Sequence, residues 1–197
     1  MTRQAILNAA AQVFSQKGFH AASMQDIAEA VNLQKGSLYH HVSSKQEILA
    51  LLLDQALDLL IEHMETVIAQ PLPADAKLRL ATAEYLTTIL EHKELAGVLL
   101  LEHRSLDPDL AANHKFGRDR FEGLWRDLVR QGMKESVFTY SDPTMAVLAI
   151  MGSLNWAITW YRPDGTLTPA QIADQFAELI LSGLRTRPEM PTRSGLI

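Results

Sequence analysis

Apolar residues recur at intervals of three and four along nearly the whole chain, which is the period of an amphipathic helix. No segment shows the strict alternation of a strand, and no stretch repeats another. Start and stop residues divide the pattern into nine predicted helices, at about 2–17, 23–31, 34–41, 44–70, 74–91, 94–105, 107–131, 142–161 and 168–184. The sequence therefore predicts an all-α protein.

Two serines mark helix starts in the first quarter of the chain. Ser23 stands three residues before Asp26, and Ser44 stands three residues before Glu47. This is capping-box spacing, in which the serine hydroxyl accepts from a backbone N–H and the acid reaches back to the serine. Asn32 falls between two short helical patterns and tolerates the left-handed backbone that a tight joint needs. Together these features predict a helix-turn-helix.

The second short helix, predicted at 34–41, has an exposed face suited to DNA. It carries Gln34, Lys35, Ser37, Tyr39 and His40, which are polar or cationic, and almost no acid. A helix that lies in the major groove needs such donors and acceptors and must not repel phosphates. The alternative is an ordinary amphipathic pair of helices with a polar surface.

A wider set of residues around this stretch matches a family pattern: Ile6, Leu7, Ala9, Ala10, Val13, Phe14, Gly18, Phe19, Ile27, Ala28, Lys35, Gly36, Ser37, Leu38, Tyr39, His40, Ser44, Lys45 and Leu49. The set resembles the TetR family of bacterial one-component regulators. Asn32, Leu33 and Val42 depart from the usual Gly, Val and Phe, and none of these changes removes a DNA-facing group. The resemblance implies a TetR-like fold with a three-helix DNA-binding domain (1–46), a six-helix ligand-binding and dimerisation domain (47–186) and a flexible tail (187–197).

Several side chains are expected to contact DNA. Lys45 is expected to anchor a phosphate, because backbone N–H groups in the first turn of the long helix already attract anions. Base edges are expected to meet Gln34, Lys35 and Ser37, since Gln pairs with adenine and Lys donates to guanine. By the resemblance, Tyr39 meets a phosphate and Gly36 allows close approach. The other predicted contacts are Thr2, Arg3, His40 and His41. A solvated Lys45, a half-buried Tyr39 and a merely packed His41 are the alternatives.

Charge and composition narrow the function further. The net charge is −5, but the first fifty residues carry +1 and the remainder −6, so DNA binding is expected at one end only. The chain has no cysteine, no signal-peptide pattern and no apolar run long enough for a membrane span, so a cytoplasmic location is expected. It also lacks a nucleophile elbow, metal-ligand spacing and a glycine-rich phosphate loop. No catalytic residue, metal or cofactor is therefore expected.

Apolar and aromatic residues of the fifth to eighth predicted helices are expected to converge around a ligand pocket. His103 and Asn155 favour a pocket, because they place polar groups inside apolar helices and ligand sites need a few such groups. A filled aromatic core without a ligand is the alternative. The predicted lining is Leu86, Leu90, Leu99, His103, Leu106, Phe121, Trp125, Met151, Asn155 and Trp156.

The segment 156–184 resembles that of TetR members that respond to acyl-CoA thioesters. The seventh predicted helix carries basic residues that are candidates for the nucleotide phosphates: Lys115, Arg118, Arg120, Arg126 and Arg130. The same helix also carries Asp119, Glu122 and Asp127, so a salt-bridged exposed face is the alternative. The expected effector is a small apolar molecule, and an acyl-CoA is one candidate.

The last two predicted helices are expected to form a homodimer interface through Leu148, Gly152, Ser153, Phe176, Ile180 and Leu184. A two-fold dimer places two recognition helices about 34–36 Å apart, as the half-sites of a palindromic double-stranded operator require. The resemblance implies a ligand-responsive transcriptional regulator, most often a repressor. A constitutive DNA-binding protein without an effector and an activator are the alternatives.

Overall fold

The computed structural model describes residues 2–139 and 142–185. Within these residues the regular secondary structure is helical, apart from one isolated bridge between Phe138 and Arg185. The predicted tail, 187–197, lies outside the described residues. The α-helices of the described part are α1 (Arg3–Lys17), α2 (Met24–Ala30), α3 (Lys35–Leu38), α4 (Lys45–Ile68), α5 (Ala74–Glu91), α6 (Lys93–Gly97), α7 (Pro108–Lys134), α8 (Pro143–Asn155), α9 (Ala157–Trp160) and α10 (Pro169–Leu184). The all-α prediction is confirmed.

Helices α1 and α2 begin and end where the sequence predicts. Gly18 ends α1 with a left-handed φ of 76°, and its N–H donates to the Phe14 carbonyl. The Phe19 ring then packs edge-on against the Phe14 ring, with 5.2 Å between their centroids. Ser23 and Asp26 form the predicted capping box at the start of α2. These local contacts set the angle at which α2 leaves α1.

The turn between α2 and α3 is also as predicted, but α3 is shorter. Asn32 has φ 53°, in the left-handed region. Helix α3 ends at Leu38, not His41, because the chain tightens into turns in which the N–H of His40 donates to Ser37 and that of His41 to Leu38. Both histidines therefore lie in the connection to α4.

Helix α4 links the N-terminal helices to the rest of the molecule. The Ser44 hydroxyl accepts from the Glu47 N–H at 3.0 Å, so the predicted N-cap is present. The second half of the predicted capping box is wrong, because the Glu47 carboxylate accepts from the N–H and hydroxyl of Ser43, both at 2.6 Å. Along its length α4 packs mainly against α7 and α5.

The chain after α6 departs from a regular helix. A π-helical turn, Val98–Glu102, is followed by a 3-10 turn, His103–Ser105, where the sequence predicts one plain helix. We call these two turns the linking segment. A π turn displaces side chains relative to a regular α-helix and often occurs at a functional site. The residues around the linking segment are therefore candidates for a functional site.

Two predicted helix ends in the second half of the chain are wrong. Gly132 does not end α7, which continues to Lys134; a Cβ at Gly132 would lie 2.0 Å from the Phe138 ring, so glycine serves close packing there. The predicted helix 142–161 is broken after Asn155, where the Thr159 hydroxyl donates to the Trp156 carbonyl at 2.7 Å. Within the described residues, no helix is both long and apolar enough to cross a membrane.

Candidate DNA-binding face and effector cavity

A polar surface on and around α3 is free to meet a ligand. We call it the DNA-binding face; its members, all exposed, are Gln34, Lys35, Gly36, Ser37, Tyr39 and His40. Tyr39 is 47% exposed, which is high for a large aromatic side chain, so its ring reaches solvent. Among the described residues no side chain of this face makes a hydrogen bond, and a Cβ at Gly36 would meet nothing within 4 Å. The face therefore offers unused donors around a point where a backbone could approach closely.

Three other predicted DNA contacts have partners or are less accessible. The Thr2 hydroxyl caps α1 by accepting from the Ala5 N–H at 3.3 Å. The Arg3 guanidinium lies 2.6 Å from the Glu47 carboxylate, although 51% of its side chain remains exposed. His41 is half-buried. The DNA contacts of Thr2, Arg3 and His41 stay predictions.

Lys45 has a structural role that the sequence did not indicate. Its Nζ donates to the backbone carbonyls of Phe19 at 2.7 Å, His20 at 3.4 Å and Ala22 at 2.6 Å. It also lies 4.4 Å from the centroid of the Phe19 ring. An ammonium has three donors, and all three are used. In this arrangement Lys45 ties α4 to the turn between α1 and α2, and its contact with a phosphate stays a prediction.

Two carboxylates, those of Asp26 and Glu47, stabilise the starts of α2 and α4. The Lys17 ammonium, together with hydrogen bonds from Ser23, holds the pKa of Asp26 far below its usual range. Hydrogen bonds from Ser43, and then the charge of Arg3, lower the pKa of Glu47. Both acids are therefore ionised at neutral pH and favour the cap geometry that orients α2 and α4.

A cavity of about 180 Å³ lies between α4, α5, α7, α8 and the linking segment. Its lining consists of Leu57, Tyr85, Leu99, Leu100, His103, Arg118, Phe121, Glu122, Met151 and Asn155. Five predicted ligand residues are among them: Leu99, His103, Phe121, Met151 and Asn155. The structure thus provides a partly apolar space with several polar groups where the sequence predicts a pocket.

The other five predicted ligand residues do not line this cavity. Leu86 and Leu90 are buried on the faces of α5 that pack into the core, and Leu106, in the connection before α7, is buried as well. Trp125 is fully buried behind Tyr85, with the two ring centroids 6.1 Å apart. Trp156 follows the break after α8 and is 67% exposed. None of the five lines this cavity, and their ligand contacts stay predictions.

Leu57, Tyr85 and Glu122 were not predicted as ligand residues, and Leu100 lines the cavity beside Leu99. The last lining residue is Arg118, one of the basic residues predicted to meet nucleotide phosphates. Its guanidinium is 3.9 Å from the Glu122 carboxylate, which lies closer to Arg126, at 3.3 Å. Burial and then the charge of Arg118 lower the pKa of His103, so this imidazole is neutral at physiological pH.

The linking segment contacts both the cavity and the turn between α1 and α2. Its residues Leu99, Leu100 and His103 line the cavity. In the same segment, the Glu102 carboxylate accepts from the Phe19 N–H at 3.0 Å, and the Ser105 hydroxyl lies 3.1 Å from Nε2 of His20. A displacement of this segment therefore reaches the turn between α1 and α2 directly.

The start of α4 is joined to the same segment. The Gln46 amide donates to the Ser105 carbonyl at 2.9 Å, and its oxygen accepts from the Asp107 N–H at 3.1 Å. These two bonds bridge residues about sixty positions apart in the chain. Together with Lys45, they connect the linking segment, α4 and the α1–α2 turn into one hydrogen-bonded unit.

An apolar face lies on α8, α9 and α10. Its exposed large side chains are Met145, Leu148, Trp156, Trp160 and Leu179. Of the predicted dimer residues, Leu148 and Gly152 lie exposed, Ser153 is half-buried, and half-buried Phe176 stacks on Trp160 at 6.3 Å. Ile180 and Leu184 are buried against the rest of the chain, whereas Leu179 is exposed. The interface stays a prediction.

Most of the basic residues of α7 have acidic neighbours. Lys115 lies 3.0 Å from Asp119, Arg120 lies 2.6 Å from Glu65, and Arg130 lies 2.8 Å from Asp127. The salt-bridged alternative therefore describes these positions, and Arg118, at the cavity, is the more loosely paired cation. No cluster of three or more metal-ligating side chains occurs in the part of the chain that is described.

Two family models match the chain: "Bacterial regulatory proteins, tetR family" over residues 6–52, and "Tetracyclin repressor-like, C-terminal domain" over residues 71–184. The HTH-type transcriptional repressor KstR2 of Mycobacterium tuberculosis is 30% identical over 191 residues, which are 92% of this chain and 92% of that protein. Its solved structure, described as a ketosteroid transcriptional regulator, has a TM-score of 0.86 at 26% identity and covers 94% of this chain and 95% of its own.

Two further solved structures are similar. The TetR family transcriptional regulator PfmR from Thermus thermophilus is 35% identical, with a TM-score of 0.84, covering 92% of this chain and 99% of that one. AibR, in complex with isovaleryl coenzyme A and operator DNA, is 24% identical, with a TM-score of 0.82, covering 93% of this chain and 97% of that one. The likeness to AibR extends to the fold alone.

Proposed function

Because the chain belongs to the TetR family of bacterial transcriptional regulators, we propose that it is a homodimeric repressor released from a palindromic operator by a small effector bound in the cavity. The KstR2 relative, which matches nine-tenths of the chain, is a repressor, and this supports the sign of the regulation. Transcriptional regulators of this kind are normally not enzymes.

One observation carries the proposal: the linking segment lines the cavity and also holds the DNA-binding domain. An effector that fills the cavity displaces Leu99, Leu100 or His103, and Glu102 moves with them because it belongs to the same turns. The hydrogen bond from Phe19 to Glu102 then shifts or breaks. An effector needs different affinities for two arrangements to change their populations, and this segment supplies the two arrangements.

A small displacement is sufficient to prevent binding to DNA. In a two-fold dimer both recognition helices must meet half-sites about 34–36 Å apart. If the α1–α2 turn moves relative to α4, both DNA-binding faces move in opposite directions, since the two-fold axis relates them. The operator then contacts only one face well at a time, and affinity falls.

The effector class we propose is an acyl-CoA. A cavity of about 180 Å³ has room for a short or branched acyl group, and the coenzyme then lies outside it. Arg118 lines the cavity with 43% of its side chain exposed, so its guanidinium is available to a phosphate at the opening. AibR binds isovaleryl coenzyme A and operator DNA on the same fold, which is consistent with this choice.

The test measures release from DNA. An operator is first selected from random duplexes by the full-length protein, and its dissociation constant is then measured by fluorescence anisotropy with acetyl-, butyryl-, isovaleryl-, hexanoyl- and octanoyl-CoA. We expect at least one thioester to weaken operator binding about tenfold or more, within the usual range of allosteric coupling. Free coenzyme A should have little effect, because it leaves the cavity empty.

Variants separate the cavity from general charge effects. Arg118→Gln should raise the thioester concentration needed for release, whereas Arg130→Gln should not, because Arg130 is paired with Asp127 outside the cavity. If no thioester alters operator affinity, the acyl-CoA proposal is wrong and a constitutive DNA-binding protein becomes the better description.

A further inference from the structure

A polar pair lies in the wall of the cavity among apolar neighbours. The Tyr85 hydroxyl donates a hydrogen bond to the side-chain oxygen of Asn155. Tyr85 is only 4% exposed, and burial raises its pKa above the ordinary value of 10.0, so the hydroxyl stays neutral. The ring stacks on Phe121, with 5.8 Å between centroids. The pair is therefore held in place by packing on one side and faces the cavity on the other.

The hydrogen-bonding capacity of the pair is only partly used. A carboxamide has two N–H donors on Nδ2, and a phenolic oxygen has lone pairs besides its single donor. Within the described residues, Asn155 makes only the bond from Tyr85. Its two N–H donors are thus left for water or for a ligand, and a ligand that buries them without replacing the water loses affinity.

The surroundings restrict what can satisfy these donors. Leu57, Leu99 and Met151 share the lining, so the cavity favours an apolar molecule with one well-placed oxygen. At the pair itself a carboxylate is a poorer match, because the pair is neutral and a charge next to the nearly buried Tyr85 would be desolvated. An anion would bind instead at Arg118, the cation of the same lining. The acceptor that fits is a neutral oxygen such as a ketone carbonyl.

We propose that Asn155 is a specificity-determining residue whose side-chain N–H donates to a neutral carbonyl oxygen on the apolar part of the effector, and that Tyr85 is the positioning residue that orients this amide. The inference rests on the proposed function only in taking this cavity to be the effector site; it needs neither the thioester nor release from DNA. Asn155 is the last residue of α8, so the bound carbonyl also contacts the end of a helix of the apolar face.

A pair of small cyclic probes tests the inference directly. Cyclohexanone and methylenecyclohexane have nearly the same shape and differ in one group, a carbonyl oxygen against a methylene. Both are small enough for the cavity. Their dissociation constants for the full-length protein are measured by NMR titration of the side-chain amide and methyl signals, with the Asn155 amide identified by its loss in Asn155→Leu.

We expect wild type to bind cyclohexanone roughly tenfold more tightly, about the effect of one hydrogen bond, although methylenecyclohexane is the more hydrophobic probe. Asn155→Leu removes the donors and should reverse the preference. Tyr85→Phe removes the hydroxyl that orients the amide and should reduce it. Tyr161→Phe, at a half-buried tyrosine that does not line the cavity, is the matched control and should keep the wild-type preference.

The outcomes distinguish this inference from the proposed function. Equal binding of the two probes, binding of neither, or a preference that survives Asn155→Leu overturns the role of the pair, even if acyl-CoA thioesters release the operator. A carbonyl preference that depends on Asn155 supports the pair, even if no thioester releases the operator.

Discussion

The Lys45 ammonium donates to backbone carbonyls of the protein itself, whereas the Lys35 side chain is exposed to solvent. The two residues are ten positions apart, and both are expected from the sequence to contact DNA. The three carbonyls around Lys45 come from residues 19–22, so its environment depends on a contact between distant parts of the chain. Lys35, on the exposed DNA-binding face, meets no such partner in the described structure.

These two lysines should respond differently to the same substitution. Lys45→Ala should lower the free energy of unfolding by about 1–3 kcal/mol, since it removes hydrogen bonds from a charged donor. In a chain of this size that is a fall in Tm of roughly 2–4 °C per kcal/mol. Lys35→Ala should leave Tm unchanged but weaken operator binding by about 1–3 kcal/mol and relax the base preference at the contacted position. Thermal unfolding and anisotropy with operator variants measure the two effects; a Tm unaffected by Lys45→Ala would contradict the structural role.

Glu47 should make the stability of the DNA-binding domain depend on pH. Because the pKa of Glu47 is lowered in the folded state, its ionised form contributes stability above the ordinary value of 4.5. That contribution is lost as the pH falls through the lowered pKa of the folded state. We therefore expect wild type to be more stable than Glu47→Gln at pH 7 and the difference to shrink below about pH 4. Thermal unfolding across this range measures it, and a constant difference would exclude the mechanism.

At the scale of elements, α8 and α10 each have apolar residues on two sides. On α10, Ile180 and Leu184 face the interior while Leu179 is 69% exposed; on α8, Leu148 is 54% exposed. Apolar side chains that stay exposed to water do not stabilise a monomer. Apolar patches on a protein surface usually mark an interface. A second protomer is therefore the expected cover for this face.

A single charge on either helix should disrupt the dimer. Leu148→Asp or Leu179→Asp would bury a carboxylate without a partner at the interface, so we expect monomers by analytical ultracentrifugation at micromolar concentration. Leu101→Asp is the matched control, because Leu101 is 66% exposed but lies on the linking segment. A dimer that persists in both α8 and α10 variants would place the interface elsewhere.

Local chemistry made some elements predictable from the sequence. Asn32 takes the left-handed turn, the capping box at Ser23 closes, and the Ser44 hydroxyl caps α4, as their spacing indicates. The break after Asn155 was not predicted, because the apolar pattern continues past Gly152 and Asn155 to Trp160 without a proline, although both residue types can end a helix. The inward and outward sides of α8 and α10 could not be separated either, since both are apolar in sequence.

At the scale of the whole molecule, only part of the cavity lining could be predicted from the sequence. Five of its residues were identified because polar or aromatic groups interrupt apolar helices. Tyr85 and Leu57 were missed, since only the packing of α4 and α5 against α7 brings them to the same space. The bond between Glu102 and Phe19 joins residues 83 positions apart and has no signature in the sequence.

Glu102 is the residue expected to transmit occupancy of the cavity to the DNA-binding domain. By linkage, an effector that weakens operator binding must itself bind less tightly to the operator complex, by the same factor. Removing the hydrogen bond between Phe19 and Glu102 should reduce this coupling factor without preventing the effector from binding in the cavity. Glu102→Ala removes the acceptor of the Phe19 N–H, and Glu94→Ala is the matched control, an exposed acid on α6.

The most direct measurement is the ratio of operator dissociation constants with and without the acyl-CoA that releases wild type most strongly, together with the affinity for that acyl-CoA in the absence of DNA. We predict that Glu102→Ala lowers the ratio several-fold towards one while its acyl-CoA affinity stays that of wild type, and that Glu94→Ala changes neither. A ratio in Glu102→Ala equal to that of wild type would show that the bond between Glu102 and Phe19 does not couple the cavity to DNA.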